Sequence, residues 1–269
     1  MRNGLPYQYH FSSGRYVKNP AIILGILASM LSTSVRAADN WHFLLAPYVW
    51  FAGVEGDITT LPGAPATHID VSATDALKDT EASFMLMLEA KKGRHGMLFD
   101  IFYSDVLKQS ETNAEYELRL NASMQNTMVT AGYIYELHKS PHTEINAFAG
   151  LRYWEVDTQL HFRYGSGTPQ RMSFHNSESW LDPMAGAEAK IRLGDSPVYL
   201  SGFFGLGGAG GGSDSFYDVS AHVGYKFTDS IVTSVGYRVF DIDYKDDAFV
   251  YDVKQAGWSL GLVWVFDSR

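Results

Sequence analysis

GWSLGLVWVF, residues 257–266, decides the fold. Trp258, Leu260, Leu262, Trp264 and Phe266 alternate with Gly257, Ser259, Gly261, Val263 and Val265. Side chains along a strand have a period of two, so the five bulky residues share one face. That face is apolar throughout and aromatic at both ends, as expected of a strand facing lipid between two interfacial girdles.

The pattern recurs upstream. Tyr217, Val219, Ala221, Val223, Tyr225 and Phe227 share one face, opposite Asp218, Ser220, His222, Gly224 and Lys226. After a turn at Thr228–Ser230, Ile231, Thr233, Val235, Tyr237 and Val239 lie opposite Ser234, Gly236 and Arg238. Apolar outside and polar inside reverses a soluble core and suits a membrane barrel, the sheet that satisfies its backbone groups in lipid. AGYIYEL (131–137), AGLRYWE (149–155), VGYKFTD (223–229), VGYRVFD (235–241) and LGLVWVFD (260–267) form a weak strand-level repeat. Each has an inward glycine that makes room for a large neighbour.

Short turns at Lys91–Gly96, His138–His142, Gly194–Pro197 and Thr228–Ser230 alternate with polar connections near 53–80, 107–116, 164–177, 208–216 and 244–251. The expected fold is all-β, a transmembrane antiparallel up-and-down barrel of about ten strands with both termini periplasmic. Eight strands follow if the weak ones fail, and twelve if Thr67–Val71 belongs to an added hairpin. Ser72–Asp75 reads as a helix-capping box, and predicts a short helix across the barrel mouth.

At the other end, Arg15 and Lys18 precede the apolar run Ala21–Leu31, and SVRA (34–37) supplies a cleavage site. Residues 1–37 read as a secretory signal peptide, leaving 38–269 as the barrel domain. Removing 37 of 269 residues leaves 232, with 17 Lys and Arg against 30 Asp and Glu, a formal charge of −13. That balance argues against a nucleic-acid partner. Without cysteine there are no disulfides or thiolate metal sites.

Alternation places Glu89, Asp100, Arg152, Asp182, Glu188, Lys190, Asp218, His222, Lys226 and Arg238 inside the barrel. They line a narrow polar channel, or neutralise one another in a packed interior; the small space enclosed by ten strands favours the second. GLGGAG (205–210) matches a dinucleotide fingerprint in letters only, because another strand follows it instead of a helix. Asp218, Ser220 and His222 stand two residues apart along one strand, roughly 6–7 Å per step, too far to form a catalytic triad by themselves. The acidic group Asp241, Asp243, Asp246 and Asp247 matches no calcium loop. No catalytic, cofactor or metal residues are assigned, and no cofactor is expected.

APYVWFAGVEGDI (46–58), EAKKGRHGMLFDIFYSDV (89–106), WLDP (180–183), GGGSDSF (210–216) and VGYRVFDIDY (235–244) together resemble a family of bacterial outer-membrane β-barrel proteins. The resemblance spans nearly the whole mature chain. Gly261, Trp264 and Phe266 also resemble the C-terminal assembly signal of such barrels, although Asp267, Ser268 and Arg269 follow where Phe is normally last. The resemblance implies an outer-membrane location and a porin-like or OmpA-like barrel. It implies lipid, lipopolysaccharide, the barrel-assembly machinery and periplasmic chaperones as partners, and no agreed substrate. The expected function is a non-enzymatic narrow channel or a structural, surface-interacting barrel. A lipid- or lipopolysaccharide-modifying enzyme is the alternative, and a lipocalin-like binder with inward aromatic faces a third.

Overall fold

The computed structural model describes residues 41–59, 65–113, 118–164, 170–246 and 249–267, with the backbone alone at 108–113, 118–120, 162–164 and 170–171. Residues 1–37, expected to be a signal peptide, and Asp247 lie outside the described residues. The elements are β1 (His42–Ile58), β2 (Thr67–Val71), α1 (Ala73–Asp79), β3 (Thr80–Lys92), β4 (His95–Asn113), β5 (Leu118–Lys139), β6 (Thr143–Tyr164), β7 (Gln170–Arg192), β8 (Val198–Gly208), β9 (Ser215–Lys226), β10 (Ile231–Asp246) and β11 (Phe249–Asp267).

Strands β3 to β11 pair antiparallel in sequence order, and β11 returns to pair with β1 from His42↔Asp267 to Ile58↔Tyr251. With β1 beside β3, the result is a closed ten-strand barrel. The short strand β2 is an eleventh, added to β1 at Val54–Ile58. The β1–β3 ladder stops at Pro47, which has no N–H to donate, and β2 occupies that edge of β1 further up.

The capped helix forms as expected: the Ser72 hydroxyl accepts from the Asp75 amide at 3.2 Å. Its neighbours, however, are β1 and β4, and none of its residues is buried. It rests on the wall instead of crossing the mouth. Gly53 permits this, because a Cβ there would press on the Val71 carbonyl at 2.9 Å.

The outer face carries the apolar band. Trp258, Leu260, Leu262 and Trp264 are 49–62% exposed, far above what a water-soluble core strand shows. Phe51, Tyr237 and Trp258 meet in register toward the long-loop end; Phe43, Trp264 and Phe266 cluster at the short-turn end. On β6 the band runs from Ile145 to Tyr153, nine residues, the length that crosses a bilayer.

Strands β4 to β7 continue well past that band, where the sequence predicted long loops at 107–116 and 164–177. The physical reason is an inversion of pattern. Below Tyr153, Leu151 faces out and Arg152 is buried inside. Above it, Asp157, Gln159 and His161 lie outside, while Val156, Thr158 and Leu160 are buried inside. Outside the hydrocarbon a barrel wall meets water, so apolar residues move to the enclosed face. The extension forms a lobe on the long-loop side.

Candidate functional site: a sealed bore and its rim

Of the ten residues expected inside, Asp100, Arg152, Asp182 and Asp218 are buried, Glu89, Glu188, His222, Lys226 and Arg238 are half-buried and Lys190 is exposed, and they fall into separate groups. The first is a charge-balanced layer. Asp218, 1% exposed, accepts from Arg152 Nη2 at 2.8 Å and from Arg238 Nε and Nη2 at 2.9 and 2.6 Å. Arg152 also donates to Thr130, and its guanidinium lies over the rings of Phe216 and Trp154 at 5.2 and 5.5 Å. Tyr48 joins the second acid to the layer, donating to Asp100 at 3.1 Å and accepting from Arg238 at 3.3 Å. Two arginines thus face two aspartates. The rings supply further polarisable contacts for cations held away from water.

A second group lies toward the short turns. Lys91 Nζ stands 2.6 Å from Glu144, 3.0 Å from Glu89 and 3.5 Å from Glu188, and Asn146 donates to Glu188 at 2.7 Å. Lys190 caps the Tyr199 ring at 4.4 Å. His222 meets Ser259 at 2.7 Å over Gly236 of the intervening strand β10, while Asp218 is committed to the arginines. Lys226 sits at the barrel end and pairs with Asp229 in the turn at 2.7 Å, which holds that carboxyl below the usual carboxylate range. The inward glycines make the expected room: a Cβ at Gly224 would overlap the ring of Tyr199, and one at Gly132 the ring of Phe148.

The long-loop half was not legible as an interior. Trp180 stacks on Tyr244 with centroids 3.9 Å apart, Trp154 lies 5.1 Å from Phe240, and Ile242 and Val253 are fully buried beside them. Trp50, Phe102 and Met128 join Trp154 and Phe240 in lining a cavity of about 20 Å³, room for little more than a water.

The glycine-rich segment seals this plug. The β7–β8 ladder stops at Met184↔Gly207, next to Pro183, while the β6–β7 ladder continues through Leu151↔Pro183. The β8–β9 loop is therefore free to fold inward. Asp182, wholly buried, accepts from the amides of Gly212 and Ser213 at 2.8 Å each, from the Ser213 hydroxyl at 2.6 Å and from Trp154 Nε1 at 3.0 Å. Trp180 Nε1 donates to the same Ser213 hydroxyl. Gly212 lies so close to Trp180 that a Cβ would stand 2.6 Å from the Trp180 Cβ. WLDP and GGGSDSF, distant in sequence, are thus one latch. GLGGAG is the end of β8 and the start of this loop.

At the rim, Lys245 lies 2.7 Å from Asp243 and 3.5 Å from Asp252, which raises its ammonium above the ordinary lysine range. Tyr217 donates to Asp241 at 3.2 Å. Among the described residues no group of three or more acidic or histidine side chains is arranged to hold a metal ion. At the chain's end, Trp264 and Phe266 face outward and Gly261 inward, near Ser234 and Tyr48.

Comparison with solved structures finds barrels. The outer membrane protease OmpT from Escherichia coli matches with a TM-score of 0.49 at 10% identity, covering 88% of this chain and 99% of that one. The translocator domain of the autotransporter NalP from Neisseria meningitidis matches at 0.40 and 11% identity, over 91% and 95%. Ail, the attachment invasion locus protein of Yersinia pestis, matches at 0.34 and 12% identity, over 85% and 99%. No protein-family model and no curated protein matches the sequence. The chain is a closed, antiparallel ten-strand β-barrel with an outward apolar band.

Proposed function

We propose that this chain is an outer-membrane anchor barrel that acts through its protruding lobe, as a structural or surface-interaction protein and not as a pore or an enzyme. The observation that carries this reading is the filled bore: a neutral Arg–Asp layer beneath an aromatic plug latched by Asp182. A conducting channel needs a continuous hydrated path, and the close-packed Arg–Asp layer and aromatic plug oppose one. Lipid and lipopolysaccharide surround the apolar band. Gly261, Trp264 and Phe266 present the closing strand to the assembly machinery, with periplasmic chaperones acting before insertion. The long-loop end is extracellular.

Ion conductance of the refolded protein in a planar lipid bilayer tests the reading. Folded protein gives no stable steps at 1 M salt, a concentration at which even narrow hydrated pores conduct. Reproducible unitary steps from the wild type sink it.

A further inference from the structure

At the short-turn end, the outer wall carries cations that the sealed bore does not use. Lys91 turns inward to Glu89 and Glu144, so Lys92, the next residue of the strand, points outward. Lys92 pairs in register with His95 of β4, and His95 with Tyr135 of β5. Neighbouring strands lie about 4.8 Å apart, so this row spans roughly 10 Å. Arg94, in the turn between β3 and β4, lies over the end of the row, its guanidinium 4.9 Å from the centre of the Tyr135 ring.

The arginine is fixed in place. Its Nε and Nη2 donate to the Glu136 carbonyl at 3.1 and 2.8 Å, and the Glu136 amide donates back to the Arg94 carbonyl at 2.8 Å. Nη1 has no partner among the described residues, and neither has the Lys92 ammonium. His95 is held between them by the Tyr133 hydroxyl and by the edge of the Tyr135 ring, 5.4 Å between centres. The nearby carboxylates are already engaged: Glu89 and Glu144 with Lys91, and Glu136 with Lys139 at 3.5 Å. In a chain of net charge −9, two outward cations thus stand without a counter-charge. A pre-positioned guanidinium edge beside an ammonium suits a phosphate.

Position selects which phosphate. Met97 and Tyr133, the next outward residues along β4 and β5, are 67% and 46% exposed and begin the apolar band. A soluble anion would meet the cations and leave this ledge uncovered, whereas a lipid covers both, with the tyrosine rings at headgroup level. The same end holds both ends of the barrel, His42 paired with Asp267, and lies opposite the lobe. At the lobe side the rim lysine, Lys245, is instead tied to Asp243 and Asp252.

We infer that Arg94 and Lys92 bind the phosphate of an anionic phospholipid in the periplasmic leaflet, with Tyr133, Tyr135 and Met97 against its glycerol and upper acyl chain. The inference rests on the proposed orientation in the membrane, but its test reads lipid preference and not conductance, so the two can fail separately.

The test is native mass spectrometry of the folded protein in an uncharged detergent, titrated with dioleoyl phosphatidylglycerol or dioleoyl phosphatidylcholine. Equal acyl chains isolate the headgroup charge. The wild type binds one phosphatidylglycerol about fiftyfold more tightly than phosphatidylcholine. Arg94→Gln removes about tenfold of that preference, as expected for a charge-assisted contact, and Lys92→Gln about fivefold, as expected for one cation near a lipid surface. The double variant binds the two lipids alike, and Lys245→Gln keeps the full preference. The inference is overturned by a wild type without preference, by a double variant that retains it, or by a loss in K245Q equal to that in R94Q. Displacement of the lipid by excess inorganic phosphate also overturns it, since the site then takes a soluble anion. Cold and boiled electrophoretic mobility confirms that each variant is folded.

Discussion

Replacing Asp218 with Asn tests whether the bore is dry. Asp218 holds Arg152 and Arg238 at 2.8 and 2.6 Å, and the three side chains are 1%, 3% and 11% exposed. At an effective dielectric of about 20, each contact is worth about 6 kcal/mol before desolvation. Removing one partner of such a buried group leaves uncompensated charge and costs about 3–5 kcal/mol. In a water-filled bore with a dielectric near 80, the same contact is worth only about 1.5 kcal/mol, and the net loss is smaller still. Guanidinium unfolding of the protein in lipid vesicles, followed by tryptophan fluorescence, separates the two cases. The expected result is a loss of about 3–5 kcal/mol for D218N, largely recovered in Asp218→Asn/Arg152→Met, which restores charge balance with Arg238 against Asp100. A loss below about 1 kcal/mol for the single variant refutes the dry layer.

Asp182→Ala removes the acceptor of four hydrogen bonds and should cost about 3 kcal/mol while raising the rate of proteolytic cleavage within residues 209–214, with the barrel remaining folded. Lys91→Met leaves Glu89, Glu144 and Glu188 without their common cation; a loss of about 2–3 kcal/mol by the same unfolding assay is expected, part of it returned by adding Glu144→Gln. Phe266→Ala should lower the yield of protein in the outer-membrane fraction, and an unchanged yield counts against the closing strand as an assembly signal.

The barrel and its strand number were legible because lipid imposes one rule on every crossing segment: bulky apolar residues outward, at a period of two. Trp258 to Phe266 and Ile231 to Val239 follow it, Thr233 excepted. The buried Asp100, Arg152, Asp182 and Asp218 follow from the same parity. The lobe was read as loops because that rule stops at the bilayer surface. At Asp157, Gln159 and His161 the outward residues become polar, and the inward Val156 and Leu160 become the apolar set. Alternation persists with its sign reversed, which looks like loss of signal to a reader seeking one sign. Pairing was less accessible still. Asp182 and Ser213 lie 31 residues apart, and nothing local to either shows that a carboxylate will hold a loop inside the mouth. Pro183 was the available clue, since it marks where the ladder to β8 must stop.

Strand length bears on where the protein acts. Crossing the bilayer takes about 9–11 residues per strand, yet β5, β6 and β7 run to 22, 22 and 23. Ordering each added residue costs roughly 1–2 kcal/mol of backbone entropy, which must be offset by the ladder and by apolar residues enclosed in the lobe. An anchor gains nothing from this extension, and a pore would be lengthened by it while remaining blocked below. Under the proposed function, the long walls are maintained for what they present. The short β8 and β9, at 11 and 12 residues, fit the same account: on that side the chain turns inward to close the mouth, and the lobe stands to one side of a shut barrel.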